Sequence, residues 1–468
     1  MRSEVGSTPT PSRDCAGPRR RGRPVPLGCH VVFWAAGTVP CEAQGPCQWL
    51  TSGRAMALKR VFCVVVISVL GAAVIGTAAQ ARATSHPAPS CRPWTDPTAA
   101  ASPNSALGVG SSTLADRCLH LNHLQAVGSH NSYHVEPGPQ LFAALRSFNA
   151  ALAASIEYTH SPLFTQFAQE GIRQIELDVF ADPEGGLYDT RIVHSILGLP
   201  TDSGVPELEE PGFKVLHVQE IDFETRCYTL VQCLVDVRTW SDTNPSHAPL
   251  AILIELKDDP IPDPLNLGFV APHAIGGAEL DALDGEIRSV FSEDRIITPD
   301  DVRGSAATLE HAVLAHKWPT LGEARGQVMF LMDNAGSFRT DYLAGHPSLA
   351  GRVLFTNSSP GQPDAAFVKR NDPTGPNLAE IQALVRAGYV VRTRADADTV
   401  QARTSDTSQR DAAFASGAQW VSTDYPVPGR SARFGSDYFV DLPGPEAVRC
   451  DPINTGPLCR DAAIERSR

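Results

Sequence analysis

The chain has 468 residues, is 42% hydrophobic and carries a formal charge of −13. That size suits one large globular domain or two or three smaller ones. Residues 1–55 hold a net +4 and residues 56–83 a net +3, so the remainder carries −20. So acidic a body lacks the basic surface that neutralises phosphates, which excludes general nucleic-acid binding.

Residues 1–55 are rich in Arg, Pro and Gly and show no hydrophobic period. They are expected to be a disordered, overextended N-terminal segment, with the true start at Met56. Met56-Ala-Leu-Lys-Arg60 is a basic start, residues 61–79 are apolar or small, and Ala81-Arg-Ala83 is a small-x-small cleavage site. These are the parts of a signal peptide over 56–83, which predicts a secreted or periplasmic protein. A membrane anchor is the competing reading, since 19 apolar residues nearly span a bilayer. Residues 84–114 read as a flexible leader. Six cysteines follow the signal, an even number that predicts disulfides in an exported chain. They fall into three local couples: 91–118, 227–233 and 450–459.

Strand-like runs then alternate with longer segments. Strands are predicted at 124–128, 172–179, 213–218, 250–256, 326–333, 352–356, 388–393 and 418–423. Helices are predicted within 138–170 and over 227–240, 275–292, 377–387 and 412–416. A polar stretch at 181–212 is too long for a simple connection and is expected to be a functional loop. Eight strands separated by helical or long segments predict an α/β fold, a (β/α)8 TIM-type barrel, as a single catalytic domain over 115–445. Residues 446–468 form a C-terminal tail with one disulfide. An open doubly wound sheet is the alternative, but the first strand is not followed by a Gly-rich phosphate loop.

The polar residues gather where such a barrel does its chemistry, at the C-terminal strand ends. Leu124-Gln-Ala-Val-Gly-Ser-His-Asn-Ser-Tyr133 delivers His130 and Asn131. In Ile172-Arg-Gln-Ile-Glu-Leu-Asp-Val179, Glu176 and Asp178 are two apart and share one side of a strand. Phe213-Lys-Val-Leu-His217 ends on His217, and Leu250-Ala-Ile-Leu-Ile-Glu-Leu256 carries Glu255 among apolar neighbours. Lys257 is expected to point away from Glu255. Asn131, Glu176, Asp178 and Glu255 offer only oxygen ligands, which select Ca2+, or less readily Mg2+, over softer metals. A structural ion pair is the bland alternative for Glu255. His130 and His217 are the acid–base candidates. His134, His160 and His194 are expected on the surface or in loops.

These stretches resemble the calcium-dependent phosphoinositide-specific phospholipases C, most closely secreted bacterial members with one uninterrupted barrel. Ser129-His-Asn-Ser-Tyr133, Gly171-Ile-Arg-Gln-Ile-Glu-Leu-Asp178, Val215-Leu-His217 and Ile254-Glu-Leu-Lys257 carry the resemblance, over residues 115 to 430. It implies a calcium-dependent phosphodiesterase that cleaves phosphatidylinositol-type lipids to diacylglycerol and inositol phosphate. It also implies calcium on Asn131, Glu176, Asp178 and Glu255, His130 as transition-state stabiliser, and His217 as general acid. Glu176 would help deprotonate the inositol hydroxyl, while Lys257, Arg394, Asp396 and Asp424 would line the headgroup pocket. Metal-free bacterial relatives put an arginine in the cation's place, and the intact Glu176/Asp178 pair argues against that mechanism. The expected partner is a phospholipid, met by a monomer through transient membrane contact, with no nucleic acid involved. The rivals are a glycerophosphodiester phosphodiesterase on the same barrel, whose first motif is His-Arg rather than His130-Asn131, and a non-catalytic lipid-headgroup-binding protein.

Overall fold

The structure is a computed structural model that describes residues 90–99 and 111–465. The proposed N-terminal extension, the signal peptide and most of the leader lie outside the described residues.

Eleven strands build one sheet. They are β1 (Leu124–Ser129), β2 (Gln174–Phe180), β3 (Lys214–Val215), β4 (Leu250–Leu256), β5 (Ile296–Ile297), β6 (Val328–Met332), β7 (Leu354–Thr356), β8 (Phe367–Lys369), β9 (Val390–Arg394), β10 (Trp420–Thr423) and β11 (Val448–Cys450). The path β7-β6-β4-β2-β1-β10-β9-β8 is parallel throughout. Its strands are apolar because both faces are covered: every residue of β1, β2 and β6 is buried. Helices fill the connections, among them Leu230–Thr243, Gly277–Val290 and Pro376–Ala387. The first of these is capped by Thr229, whose side chain accepts from the Gln232 N–H. The ends of the path approach each other: Asn357, just after β7, bridges Phe367 of β8 in parallel, and the Ser358 N–H donates to the Phe367 carbonyl at 3.1 Å.

Two strand predictions need correction. The run at 213–218 is not a parallel strand of the path. Only Lys214–Val215 is extended, and it pairs antiparallel with the end of β2, Val179 opposite Val215. Lys214 is buried there, held by Asp182 at 3.2 Å and by two backbone carbonyls. The eighth parallel strand is instead β8, three residues long and followed closely by Asp372-Pro373, too short for a periodic signal.

Residues 181–212 fold into two short 3-10 turns and pack a second apolar cluster around Phe180, Tyr188, Val193, Leu208 and Phe223. The leader is partly ordered: Arg92–Thr95 is helical, Trp94 is buried, and Cys91–Cys118 ties it to the helix Ser111–Cys118. The other two predicted disulfides, Cys227–Cys233 and Cys450–Cys459, are also formed. The tail lays β11 antiparallel on β1, and Glu465 pairs with the buried Arg173. No helix among the described residues is long and apolar enough to cross a membrane.

Candidate active site

The turn after β1 sets the site. Near the end of β1, Gly128 leaves room for the buried Gln174 side chain, whose Oε1 lies 1.9 Å from where a Cβ would stand. Ser129 and Ser132 hydrogen-bond each other, and Gln166 clamps the turn by accepting from Ser129 Oγ and donating to the Ser132 carbonyl, both at 2.7 Å. Ser132 Oγ in turn accepts from the Glu176 N–H at 2.8 Å. The turn throws Asn131 into the left-handed region at φ 44°, which asparagine tolerates better than most residues.

Three carboxylates meet on β2 and β4, and Asn131 stands in the turn after β1. Register places Asp178 beside Glu255, and the carboxylates of Glu176, Asp178 and Glu255 lie within 4.8 Å of one another. Asn131 Oδ1 and Asp178 Oδ1 are buried and accept no hydrogen bond, while Asp178 Oδ2 faces a lysine ammonium. Orphaned acceptors of this kind call for a ligand. Burial, reinforced by their mutual repulsion, pushes Glu176 and Asp178 above the usual carboxylate range. A hard divalent cation would relieve both the repulsion and the unmet acceptors, so this donor set fits calcium.

The protein already places cations here. Lys257 Nζ lies 2.8 Å from Glu255 Oε1 and 3.1 Å from Asp178 Oδ2. This corrects the expectation that Lys257 points away: two residues on from Glu255, it returns to the same side. Burial opposes the Glu255 charge, but Lys257 overrides it and holds this carboxyl below its ordinary value. The Arg392 guanidinium, buried on β9, pairs with Glu176 and also reaches Asn371 and Ser422. Lys369 pairs with Asp333 nearby.

Both histidines are anchored by aspartates. His130 Nδ1 lies 2.8 Å from Asp424 Oδ1, and its Nε2 lies 3.2 Å from the Arg394 guanidinium. Arg394 also bonds the second Asp424 oxygen at 3.2 Å. Burial and the Arg394 and Arg392 charges hold the His130 imidazole well below its ordinary range, so it is neutral with the proton on Nδ1. His217 Nδ1 lies 2.6 Å from Asp222 Oδ2, while His134 Nε2 binds both Asp222 oxygens at 2.9 and 3.0 Å. Burial opposes the Asp222 charge, but the two histidines bring its pKa down.

Several sequence expectations change. His134 and His160 lie between named elements, as expected of loop residues, but both are fully buried. His134 serves Asp222, and His160 Nε2 binds the His130 carbonyl at 2.9 Å. His194 lies in the 3-10 turn Ile192–Leu197, with its Nδ1 on the Pro200 carbonyl. Asp396 is fully buried, its oxygens occupied by the Asp424 N–H and the Tyr438 and Thr423 hydroxyls. Asp424 orients His130 and Arg394 from below. Sequence reasoning missed Arg392, Asp222, Asp333 and Lys369. Arg392 carried the same signal as Glu255, a charge inside an apolar run, Val390-Val391-Arg392.

Two aspartate-anchored histidines and a cluster of three carboxylates thus gather at one end of the parallel sheet. A family model for "Phosphoinositide phospholipase C, Ca2+-dependent" matches residues 119–452, and the chain belongs to that family of phosphodiester hydrolases. Among solved structures, the apo calcium-dependent phosphoinositol-specific phospholipase C of a Gram-negative Pseudomonas species is similar at 15% identity and TM-score 0.44, covering 72% of this chain and 96% of that one. Its myoinositol complex gives 15% and 0.43, covering 74% and 100%. The Ca2+-dependent phosphatidylinositol-specific phospholipase C from Streptomyces antibioticus gives 17% and 0.41, covering 66% and 95%. No curated protein sequence matches the chain.

Proposed function

We propose that this protein is an exported calcium-dependent phospholipase C, and that it cleaves phosphatidylinositol-type lipids by attack of the inositol hydroxyl on the neighbouring phosphate. The observation that carries the proposal is the pairing of two aspartate-anchored histidines with a carboxylate cluster beside which Asn131 Oδ1 and Asp178 Oδ1 lack donors. The Asn357–Phe367 bridge supports a barrel closed between β7 and β8, with the site at its C-terminal face. The three disulfides fit export.

Asn131, Glu176, Asp178 and Glu255 would hold the calcium. When bound, the ion supplies Lewis-acid polarisation of a phosphate oxygen and favours ionisation of the attacking hydroxyl. Asp424 fixes the His130 tautomer with its proton on Nδ1, and the inositol hydroxyl replaces the Arg394 guanidinium beside the Nε2 lone pair and gives it the proton. Arg394 stands where charge develops on the phosphate and offsets it. His217 Nε2 meets no protein hydrogen-bond partner among the described residues. It donates its proton to the departing glycerol oxygen as the phosphorus–oxygen bond breaks, and Asp222 stabilises the charged imidazole before that transfer. The first product is a cyclic inositol phosphodiester. Lys257 and Lys369 offer positive charge to the headgroup.

A second reading rests on Arg392 and Lys257. Their contacts with Glu176, Asp178 and Glu255 already neutralise part of the cage, as a protein cation would in a metal-independent enzyme. One experiment separates the readings: inositol phosphate release from phosphatidylinositol, with calcium and with chelator, for wild type and His130→Ala. Calcium-dependent release that the mutation abolishes supports the first reading. Release that survives chelation supports the second. No release, with hydrolysis of simple glycerophosphodiesters instead, defeats both.

A further inference from the structure

An apolar groove of about 340 Å³ lies among the loops that follow β1, β2 and β4. Its floor is buried: Leu141 and Leu145 from the helix Pro139–Phe148, and Val193 from the 181–212 segment. Its rim is exposed to an unusual degree for large apolar side chains. Phe148 is 80% exposed, Leu265 63% and Ile196 52%. Scattered exposed apolar residues are ordinary, but three around one concavity mark a binding surface.

The groove is built rather than incidental. Glu220 is buried, adopts φ 69°, and its carboxylate accepts from the Val193 N–H at 3.1 Å and the Val270 N–H at 3.2 Å. One strained residue therefore ties two walls together, the kind of position where strain marks function. The next residue, Ile221, lines the groove, and the one after, Asp222, anchors His217. The groove wall is thus joined through one peptide bond to the aspartate that holds His217.

We infer that this groove seats an acyl chain of the individual lipid molecule being cleaved, on the leaving-group side of the site; the inference rests on the phospholipase reading above. A concave channel with a buried floor takes a single chain, whereas a bilayer surface would be met by a convex rim. Its volume lies in the range of small-ligand pockets. No charged side chain lines it, so no headgroup would be held there.

The test compares dihexanoyl phosphatidylinositol, kept below its critical micelle concentration, with glycerophosphoinositol, using wild type, Leu265→Glu and Ile196→Glu. Both substitutions are at exposed positions away from the catalytic groups. Wild type should prefer the acylated monomer by at least about 100-fold in kcat/KM. Each variant should lose about tenfold of that preference, the factor expected from losing the burial of one to two methylenes, with the glycerophosphoinositol rate unchanged. A preference that is absent for monomers and arises only on phosphatidylinositol vesicles would assign this face to the bilayer and overturn the inference, as would a preference unchanged in both variants. Calorimetric titration with monomeric 1-octanoylglycerol provides a readout independent of catalysis. If neither phosphodiester is cleaved, binding that Leu265→Glu weakens keeps the groove and removes the reaction, while absence of binding removes the groove.

Discussion

His130 and His217 each donate through Nδ1 to a buried aspartate, at 2.8 and 2.6 Å, and are similarly exposed, yet they stand in opposite surroundings. His130 follows a central strand and faces Arg394, with Arg392 behind it. His217 sits off the parallel path, beside Glu255 and on an aspartate that it shares with His134. Cations crowd the first imidazole and favour its neutral form, whereas the second stands beside carboxylates. In the proposed reaction the same dyad accepts a proton in one place and donates it in the other.

The largest expected effect breaks this symmetry directly. Alanine at either histidine should lower kcat by about 10³-fold, within the range for lost acid–base catalysis. With a substrate carrying a phenol-type leaving group, which needs no proton, the His217→Ala loss should shrink to within about tenfold, by the same logic. The His130→Ala loss should persist. Equal rescue of both variants would contradict the assignment of donor and acceptor.

Next come the anchors. Asp424→Asn disturbs both His130 and Arg394, while Asp222→Asn leaves His217 with its neighbour His134. The first should cost on the order of 10²-fold in kcat and the second less, as expected for residues that orient acid–base groups. The pH–rate profile should shift in both, which a purely structural role would not produce.

Much of this was legible in the sequence for a physical reason. A carboxylate or histidine inside or at the end of an apolar strand is costly unless used, so Glu176, Asp178, Glu255, His130 and His217 stood out. Strands β2 and β4 were legible because they are long and unbroken. The 213–218 run looked like a strand because it is apolar, but burial there serves a short antiparallel pairing with a charged lysine inside. Asp222 and His134 were not legible: they lie in segments without period, and only the fold brings them to the site, whereas Asp333 ends the predicted strand 326–333 and carried the same signal as Glu255. The partners of Lys257 follow from period two along the chain, a rule that was available and misapplied.

Smaller effects sharpen the cage side of the comparison. Lys257 shares Asp178 and Glu255 with any bound cation. Lys257→Met should therefore tighten calcium binding about tenfold by calorimetry, since removing a neighbouring positive charge favours the ion. Unchanged or weaker binding would show that Lys257 does not compete for these oxygens.

The smallest effect separates unfolding from titration of the site. His247, remote in sequence and buried between Ser241 and the Ala248 carbonyl, is pushed down to about 4 by burial. Its folded pKa lies below the ordinary 6.5, so the unfolded chain binds the extra proton. Stability is therefore complete above about 6.5 and declines as pH falls towards 4, by at most roughly 3 kcal/mol. Urea unfolding of wild type and His247→Gln at pH 7 and pH 5 checks this. The variant should lose less stability on acidification.

The most direct measurement follows phosphorus through the reaction. Phosphatidylinositol is cleaved in ¹⁸O-labelled water and the first product is read by ³¹P NMR and mass spectrometry. Attack by the inositol hydroxyl predicts a cyclic inositol phosphodiester as the first product, free of solvent oxygen. An acyclic phosphate that carries one solvent oxygen from the earliest time point would show that water is the nucleophile, and would contradict the roles of His130 as proton acceptor and His217 as proton donor.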